Sequence, residues 1–393
     1  MNLSVIKNIY ITNVLLYFSF FLYVTCFVLS NSELAYTYNL NYFFGWSLRL
    51  LFFLLVFCFC IICFEKKWSA KQYIICAFCA FCVAAVAFNI GIDLTLPIYF
   101  LLLVDAVHLD ISHFLKYVII IYGVLLLSVV LLSIFNIIPN TVSYGVDPFN
   151  PGQMIERHAF GFSQVNHLGS IVFVIYIAVV LVFKLRGNIF HFFFCLIVSF
   201  CLYFVVNTKT AAIMILGSFF IVKLVNTFHS KVFISLLASF PCILSFVLVY
   251  LYSSNLKIVG FFDELLSHRI SLAYSILDNY GISLLGQYIP LVSTTEARRT
   301  GLTALVLDNA YMHLLLRYGV VLFVVFILFY SYFIYISFEE KGILSMLIVF
   351  LYCGITETWL IRIEIDFLLV LFIPILLSNK LNQNKMLNSS LHD

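Results

Sequence analysis

Charged side chains are scarce in this chain. Asp, Glu, Lys and Arg together make up 10% of the 393 residues, whereas hydrophobic residues make up 64% and aromatic residues 18%. Soluble domains carry about 25% charged residues. The mean hydropathy of +1.11 is also far above that of soluble proteins. The sequence therefore predicts an integral membrane protein rather than a soluble domain of any common class.

The apolar runs lack the alternation that barrel strands would show. A membrane-barrel strand alternates apolar and polar residues over about ten positions, but runs such as VIIIYGVLLLSVVLLSIFNII are continuous. Helices are then the remaining way to satisfy the backbone in lipid. Because a span needs about 20 apolar residues, we expect an all-α polytopic fold with about twelve transmembrane helices. The predicted spans are 8–30, 42–64, 72–89, 91–107, 117–138, 167–183, 189–206, 211–228, 232–252, 309–336, 343–357 and 364–378.

Several familiar motifs are also missing. No P-loop, dinucleotide fingerprint or HExxH stretch is present, so none of these motifs indicates a nucleotide or metal site. A net charge of only +3 gives no case for nucleic-acid binding. The first apolar run is too long for a signal peptide and is followed by no small-residue cleavage pattern, so we expect a retained helix.

The positions of the cysteines favour neither disulfide bonds nor a metal site. None of the eleven cysteines lies in 139–166 or 253–308, so no disulfide framework is expected in these loops. Cys76, Cys79 and Cys82 stand in CAFCAFC. We expect them to pack as small apolar residues; a metal cluster is the less favoured alternative, because no second cysteine pair stands at ligand spacing outside the lipid.

Lysine dominates one set of predicted helix ends and arginine the other. The first set contains Lys7, Lys66, Lys67, Lys71, Lys116, Lys184, Arg186, Lys223, Lys231, Lys341, Lys380 and Lys385. By the positive-inside rule this end is cytoplasmic, with both termini and the tail 379–393, and the loops 139–166 and 253–308 lie outside. The outer set contains Arg157, Lys209, Lys257, Arg269, Arg298, Arg299, Arg317 and Arg362. Guanidinium suits bidentate binding of phosphate or carboxylate, although solvated loop charges are the alternative.

Polar residues enter the membrane from this outer side in LDNAYMHLLLRYG. Asn309, His313 and Arg317 are spaced to share one helix face, which brings Arg317 about 12 Å deeper than Asn309. Ionisable residues in a membrane segment are functional candidates by default. The structural alternative is that Arg317 pairs with an acid such as Glu357. Asp308 precedes the helix, where it is either an N-cap or a base.

Four stretches on the predicted outer side carry a resemblance to a known family through their order along the chain and their placement on one side. They are RHAFGFSQVNHLG, TKTAAIMIL, HRISLAYSILDN followed by LLGQ, and DNAYMHLLLRYG. Together they resemble the bacterial O-antigen polymerase and ligase superfamily, of the Wzy and WaaL types. The matching positions include Arg157, Gly161, Asn166, Lys209, Arg269 and Gly286.

Three positions depart from the family pattern. Val165 stands where a proline is common, and Lys209 stands where arginine is usual. Ligases usually carry a histidine near the position of Asp308. Its absence favours a repeat-unit polymerase, although His313 could substitute from the next turn.

The resemblance implies a glycosyltransferase of the bacterial inner membrane with a GT-C-like helical fold. Its donor and acceptor would be undecaprenyl-pyrophosphate-linked oligosaccharides at the outer leaflet, with no nucleotide sugar, no required metal and no nucleic acid. A chain-length regulator is a further candidate partner. The pyrophosphate would be bound by Arg157, Lys209, Arg269 and Arg317. Asp308 or His313 would be the base, and the substrate would be shaped by Asn166, His167, Asn309 and Tyr311.

Two alternatives remain open at this point. A ligase would transfer finished glycan with the same outer chemistry. A transporter or flippase would move polysaccharide without changing bonds, and would need polar residues continuing deeper into several helices. In the enzyme hypothesis the loop 253–308 covers the cleft, and apolar outer stretches admit the polyprenyl tail.

Overall fold

The structure, a computed structural model, describes residues 3–65, 70–91, 93–146, 154–228 and 230–378. Within this part of the chain, eight helices are long and apolar enough to cross a membrane. They are Asn8–Ser30, Tyr42–Phe64, Ile111–Ile134, Val165–Val182, Ile189–Val206, Lys209–Thr227, Lys231–Tyr252 and Gly319–Ile336. The expectation of a mainly helical chain is confirmed, and these long apolar helices are consistent with a membrane protein. The predicted tail 379–393, Lys66 and Lys67 lie outside the described residues.

The other four predicted spans form shorter apolar helices. These are Cys76–Asn89, Thr95–His108, Lys341–Cys353 and Phe367–Ser378. Helices of this class contain 10–17 residues and so reach at most about 26 Å, which is less than the hydrocarbon core of about 30 Å. Three of these segments, Thr95–His108, Lys341–Cys353 and Phe367–Ser378, are therefore shorter than a full span, whereas Cys76–Asn89 belongs to a helix of 20 residues, Ala70–Asn89.

Sixteen α-helices and one β-hairpin follow one another along the described residues. The helices are α1 (Leu3–Ser30), α2 (Glu33–Thr37), α3 (Asn41–Glu65), α4 (Ala70–Asn89), α5 (Thr95–Asp105), α6 (Ile111–Ile134), α7 (Val165–Val182), α8 (Ile189–Cys201), α9 (Lys209–Thr227), α10 (Lys231–Tyr252), α11 (Lys257–Leu265), α12 (Arg269–Tyr280), α13 (Thr294–Thr300), α14 (Ala310–Arg317), α15 (Gly319–Ile336) and α16 (Lys341–Cys353). Strands β1 (Val142–Val146) and β2 (Met154–His158) pair antiparallel. This strand pair is an addition to the all-helical prediction, and the segment 147–153 between the strands is outside the described residues.

Helices α7 and α16 form the centre of the bundle. Two thirds of the α7 span, 67%, is buried, against 28% for the spans of α3, α6 and α15. Gly169 permits this central position, because a Cβ there would lie 2.6 Å from the Thr208 hydroxyl oxygen at the start of α9. The aromatic rings of Phe173 and Phe350 pack edge to face between α7 and α16. The outer helices instead expose large apolar side chains such as Phe53, as a lipid-facing surface would.

The predicted span 309–336 is broken into α14 and α15 at Tyr318. Gly319 adopts a φ of +86°, which L side chains rarely adopt. The loop after α12 supplies the missing hydrogen bonds: the Gln287 amide N–H donates to the Arg317 carbonyl over 3.0 Å, and its side-chain Nε2 donates to the Leu316 carbonyl over 3.1 Å. Arg317 is the last residue of α14, whose N-cap is Asn309, so the break follows the stripe of Asn309, His313 and Arg317 and does not interrupt it.

The two long loops meet on one face of the bundle, which we call the loop face. The Gln164 side chain donates to the hydroxyls of Thr294 and Thr295 at 2.9 and 2.7 Å. Arg299 of α13 donates to both carboxylate oxygens of Glu33 at 2.8 and 2.9 Å. The Gln164 contacts bring residues of 139–166 and 253–308 together, and their location outside the cytoplasm stays a prediction.

Candidate functional site

Arg362 and Glu364 lie between a 3-10 turn, Thr358–Ile361, and the last apolar helix. The Arg362 Nε atom donates to Glu364 Oε1 over 2.8 Å. Glu364 Oε2 accepts from the hydroxyls of Tyr23 and Tyr99 at 2.9 and 2.6 Å. The Glu364 side chain is only 3% exposed, whereas that of Arg362 is 35% exposed. The acid is therefore held by three donors, and the arginine is the member of the pair that is accessible.

These contacts fix the direction of the Arg362 guanidinium. The Tyr122 hydroxyl donates to the Glu364 carbonyl oxygen, which ties the same residue to α6. Burial opposes the charge of Arg362, but Glu364, Tyr99 and Tyr23 together outweigh burial and raise the pKa of Arg362 above its usual range. Because Nε is engaged, the two Nη groups are the donors that can serve an anion in the cavity that Arg362 lines.

A polar cavity of about 460 Å³ adjoins Arg362. Its wall includes Arg317 and His313 of α14 and Asp93, which precedes α5. Arg317 Nη2 and Asp93 Oδ2 are 3.8 Å apart, too far for a hydrogen bond. Two guanidinium groups thus line one cavity, and only Arg362 has a carboxylate within hydrogen-bond distance.

His313 presents an acceptor to this cavity. Its Nδ1 lies 3.1 Å from the Leu307 carbonyl oxygen. A carbonyl oxygen only accepts, so Nδ1 carries the proton and Nε2 is the free acceptor. A proton on Nε2 would add a third positive charge to a cavity already lined by Arg317 and Arg362, which Coulomb repulsion opposes. His313 is therefore suited to accept a hydrogen bond from a substrate hydroxyl.

An apolar cavity of about 750 Å³ lies next to the polar one. It lies among α4, α5, α15 and the helix Phe367–Ser378, and Cys76, Cys79 and Cys82 are in its wall. Tyr99, Tyr318 and Ile361 line both cavities. In the described residues, no group of three or more His, Cys, Asp or Glu side chains could hold a metal ion. The three shared residues make a polar and an apolar cavity direct neighbours.

A second charged cluster surrounds Arg269, the first residue of α12. Arg269 Nη2 donates to Glu357 Oε1 over 2.9 Å and lies 3.5 Å from Asp308 Oδ2. Two carboxyl groups therefore converge on one guanidinium nitrogen. Asp308 keeps 33% of its side chain exposed, whereas Glu357 keeps 9%. Asp308 is the accessible acid of this cluster, and Glu357 the buried one.

The Arg269 cluster contains one positive group, the guanidinium, and two carboxyl groups that can both be negative. Burial raises the pKa of Glu357 to about 7, and Asp308 adds to the rise while Arg269 opposes it. Burial also raises the pKa of Asp308, against the charges of Arg269 and Arg362. One guanidinium cannot neutralise two carboxylates, so the pair holds a proton more readily than an isolated carboxyl group would.

The chain positions Arg269 through a cap made by the preceding helix. Asp263 Oδ1 accepts from the amide N–H groups of Ile270 and Ser271, each at 2.9 Å. His268, between α11 and α12, has a positive φ of 62°. A cation at a helix N-terminus is unfavourable to the helix dipole. Helix stability therefore gives no reason for Arg269 to stand at this position, and its carboxylate partners do.

No protein-family model, curated protein or solved structure matches this chain. The roles of the two clusters are therefore inferred from their geometry and chemistry.

The predicted pyrophosphate-binding residues do not form one group. Of the four, Arg317 is in the wall of the polar cavity, and Arg269 is in the carboxylate cluster. Arg157 donates through Nε and Nη2 to the Asn207 carbonyl at 3.0 and 2.7 Å, where the helical segment after α8 ends. Lys209 begins α9 and is exposed. Arg157 thus satisfies a carbonyl that a helix end leaves unpaired, a contact that the sequence did not reveal.

The predicted substrate-shaping residues have different surroundings. Asn309, and not Asp308, is the N-cap of α14: its Oδ1 accepts from the Met312 amide at 3.0 Å, and its Nδ2 donates to Ser245 of α10. Tyr311 is fully buried and donates to the Leu351 carbonyl at 2.7 Å. Asn166 and His167 lie in the first turn of α7 and are partly buried. The structure therefore leaves Asp308 free of a capping role.

The residues that organise the polar cavity were not predicted from the sequence. Arg362 was expected only as one of the outer cations, and no role was expected for Glu364 or Asp93. The predicted alternative of an Arg317–Glu357 pair is wrong, because Glu357 pairs with Arg269 and Arg317 faces Asp93. A signal was present: IRIEID places three ionisable residues at the start of an apolar run, where charges are costly and functional by default.

Proposed function

We propose that this chain is a membrane glycosyltransferase of the polymerase type. It would join oligosaccharide repeat units carried on undecaprenyl pyrophosphate at the outer leaflet of a bacterial inner membrane. The observation that carries this proposal is that the polar and apolar cavities adjoin at Tyr99, Tyr318 and Ile361. A lipid pyrophosphate is an anion attached to a long apolar chain, and such a substrate would use both cavities at once.

The polar cavity supplies what a departing pyrophosphate needs. When the bond between the sugar and the phosphate breaks, negative charge accumulates on the leaving phosphate. Donors already fixed in position stabilise that charge without reorganising. Glu364 holds Arg362 in this way, whereas Arg317, with its loose contact to Asp93, can exchange that partner for a phosphate oxygen.

The apolar cavity supports a lipid tail as the second part of the substrate. Each buried CH₂ group contributes about 0.8 kcal/mol to binding, so a long prenyl chain gains affinity from this space. A Val325→Trp substitution would narrow it from α15. We expect this variant to lose the preference for long-chain over short-chain prenyl pyrophosphates in a competition binding assay, while the affinity for the short-chain lipid stays within about threefold of wild type.

Reconstitution with a purified lipid-pyrophosphate oligosaccharide tests the activity. A ladder of lengthening products together with released lipid pyrophosphate supports a polymerase. One transferred block indicates a ligase, and movement across vesicles without new bonds indicates a transporter. Arg362→Gln should abolish chain growth, whereas Arg186→Gln, an exposed arginine between α7 and α8, is the matched control and should behave as wild type.

One observation favours the transporter as the second candidate. Asp105 at the end of α5 and Asp366 near α15 are buried acids, with 2% and 0% of their surfaces exposed. Asp366 Oδ2 accepts from the Tyr330 hydroxyl at 3.2 Å. Buried acids in a membrane protein often serve proton relays. If Asp105→Asn stops glycan movement across vesicles while no bond is ever formed, the transporter replaces the enzyme.

A further inference from the structure

We propose that Asp308 is the base that activates the acceptor hydroxyl and that Glu357 tunes it, the two acids acting as a pair on the Nη2 atom of Arg269. This inference rests on the proposed function and names the residues of its proton transfer. Glu357 is a positioning residue here, since it acts on the substrate only through Asp308 and Arg269.

The geometry divides the two roles. Both carboxyl groups reach the same nitrogen of Arg269, at 2.9 Å for Glu357 and 3.5 Å for Asp308. The shorter contact belongs to the buried acid, so the guanidinium is committed mainly to Glu357. Asp308 is left with the weaker contact and with a third of its side chain exposed. It is the acid that a substrate can reach.

The position of Asp308 links the cluster to the polar cavity. Asp308 directly follows Leu307, whose carbonyl accepts from His313 Nδ1, and His313 is in the wall of the cavity. The charge of Arg362, in the same wall, also acts on Asp308. In the proposed complex, the acceptor hydroxyl lies between Asp308 and the sugar of a pyrophosphate held by Arg362 and Arg317.

The step balances without any further reactant. The acceptor hydroxyl gives its proton to a carboxylate oxygen of Asp308, and its oxygen forms the new bond to the anomeric carbon. The bond between that carbon and the phosphate oxygen breaks, and its electron pair leaves with the lipid pyrophosphate. The proton then passes from Asp308 to solvent, to which its side chain is open.

Glu357 makes Asp308 a stronger base. With both acids ionised, two negative charges share one guanidinium, and each raises the proton affinity of the other. The charged and titratable groups around Glu357 are Arg269, Asp308 and Cys353 of α16, and Thr210 of α9 also hydrogen-bonds to it. A general base works best when its pKa is near the working pH, and the raised pKa of Glu357, about 7, belongs to the pair as a whole.

Two substitutions should move the pH profile in opposite directions. Glu357→Gln keeps an oxygen acceptor for Arg269 and removes one negative charge, so the remaining carboxylate titrates lower and the acidic limb of the kcat profile should move down by at least about one pH unit. Thr210→Val removes a hydrogen bond that lowers the pKa of Glu357, so the same limb should move up. A purely structural role for Glu357 would not produce opposite shifts.

The experiment uses the reconstituted full chain and measures initial rates of chain growth from about pH 5.5 to about pH 9, the range over which such a base titrates, together with retention of a lipid-pyrophosphate oligosaccharide. Asp308→Asn should lower turnover by about 10² to 10⁴-fold and still retain the lipid. Asp278→Asn, which removes an exposed acid from the same helix as Arg269, is the control and should match wild type.

The outcomes distinguish a failure of this inference from a failure of the proposed function. If wild type extends chains but the limbs of Glu357→Gln and Thr210→Val coincide with its own, or Asp308→Asn keeps turnover within about threefold, the inference is overturned and the proposed function stands. If wild type neither retains the lipid nor forms bonds at any pH, the proposed function fails and this inference fails with it. Should Glu357→Gln not fold, the upward shift expected of Thr210→Val decides the outcome.

Discussion

The polar cavity and the Arg269 cluster use the same residue types in different ratios. In the cavity wall, Arg317 and Arg362 face Asp93 and Glu364, two cations for two acids. In the cluster, Arg269 alone serves Asp308 and Glu357. The first ratio leaves guanidinium groups able to accept another anion, and the second leaves a carboxyl group able to accept a proton.

The number of donors around each acid also separates the two regions. The Glu364 carboxylate accepts hydrogen bonds from Arg362, Tyr23 and Tyr99, and its side chain is nearly inaccessible to solvent. Its charge therefore serves to orient the arginine. Asp308, by contrast, has one charged contact within the part of the chain that the structure describes, at 3.5 Å to Arg269. An acid saturated with donors orients a cation, whereas an acid left with one long contact can take part in proton transfer. The number of donors therefore decides the role of each acid more than the proximity of charges does.

The largest effect should come from removing the cation of the saturated pair. Arg362→Gln leaves Glu364 buried with two tyrosines, and breaking a buried ion pair costs about 3–5 kcal/mol. We expect the lower part of this range, because Arg362 is partly exposed. Denaturant unfolding in detergent measures the stability, and retention of the lipid pyrophosphate measures the binding.

A double substitution separates these two readouts. Arg362→Gln with Glu364→Gln removes both charges, so most of the lost unfolding free energy should return. Lipid retention should stay lost, because the donor that faces the cavity is still missing. A double variant that retains the lipid as wild type does would show that Arg362 serves the fold alone, and the contrast between the two regions would disappear.

A smaller and more selective effect is expected at Arg317. A hydrogen bond to a charged group contributes about 1.5–3 kcal/mol, so Arg317→Gln should weaken lipid-pyrophosphate binding by roughly ten- to a hundredfold. Its contact with Asp93 is long and partly exposed, so unfolding should change by less than about 1 kcal/mol.

Arg269→Gln sharpens the comparison, because it should change turnover more than affinity. Titration of each variant with lipid pyrophosphate, alongside turnover at saturating lipid, measures the two quantities. Equal losses of affinity in Arg317→Gln and Arg269→Gln would mean that both arginines bind the anion, as the family resemblance implies.

The sequence was sufficient for the class of fold because hydropathy is a local property. Each predicted span coincides with an apolar helix, and even weak segments such as 91–107 are represented by Thr95–His108. It was insufficient for the break at Tyr318, because the bonds that replace the helical ones come from Gln287 in a distant loop. Nothing within the run 309–336 except Gly319 marks that position.

The candidate site was predicted in part for a similar reason. Spacing on one helix grouped His313 and Arg317, and the structure places both in the wall of the same cavity. The pairing of Arg269 with Glu357, 88 positions apart in the chain, could not be obtained from spacing. The hydrogen bond from Arg157 to the Asn207 carbonyl could not be predicted either, because every residue type has a backbone carbonyl.

The smallest predicted effect tests whether the helix break positions Arg317. Gly286 has a φ of +86°, and a Cβ there would lie 2.9 Å from the Arg317 carbonyl oxygen. Gly301 also has a positive φ, of +74°, but a Cβ added there would meet no atom within 4 Å. Both alanine variants should lose about 1–2 kcal/mol through the left-handed backbone alone, which makes Gly301→Ala the matched control.

The difference between these two variants isolates the contact with the break. Gly286→Ala must also displace the backbone at Arg317, so its unfolding free energy should fall further than that of Gly301→Ala. Its affinity for lipid pyrophosphate should fall by a few fold, while that of Gly301→Ala stays unchanged. Because Arg269 lies outside this contact, the pH profile that reports on Asp308 and Glu357 should be the same in both variants. A shifted profile in Gly286→Ala would instead mean that the anion site and the base move as one unit.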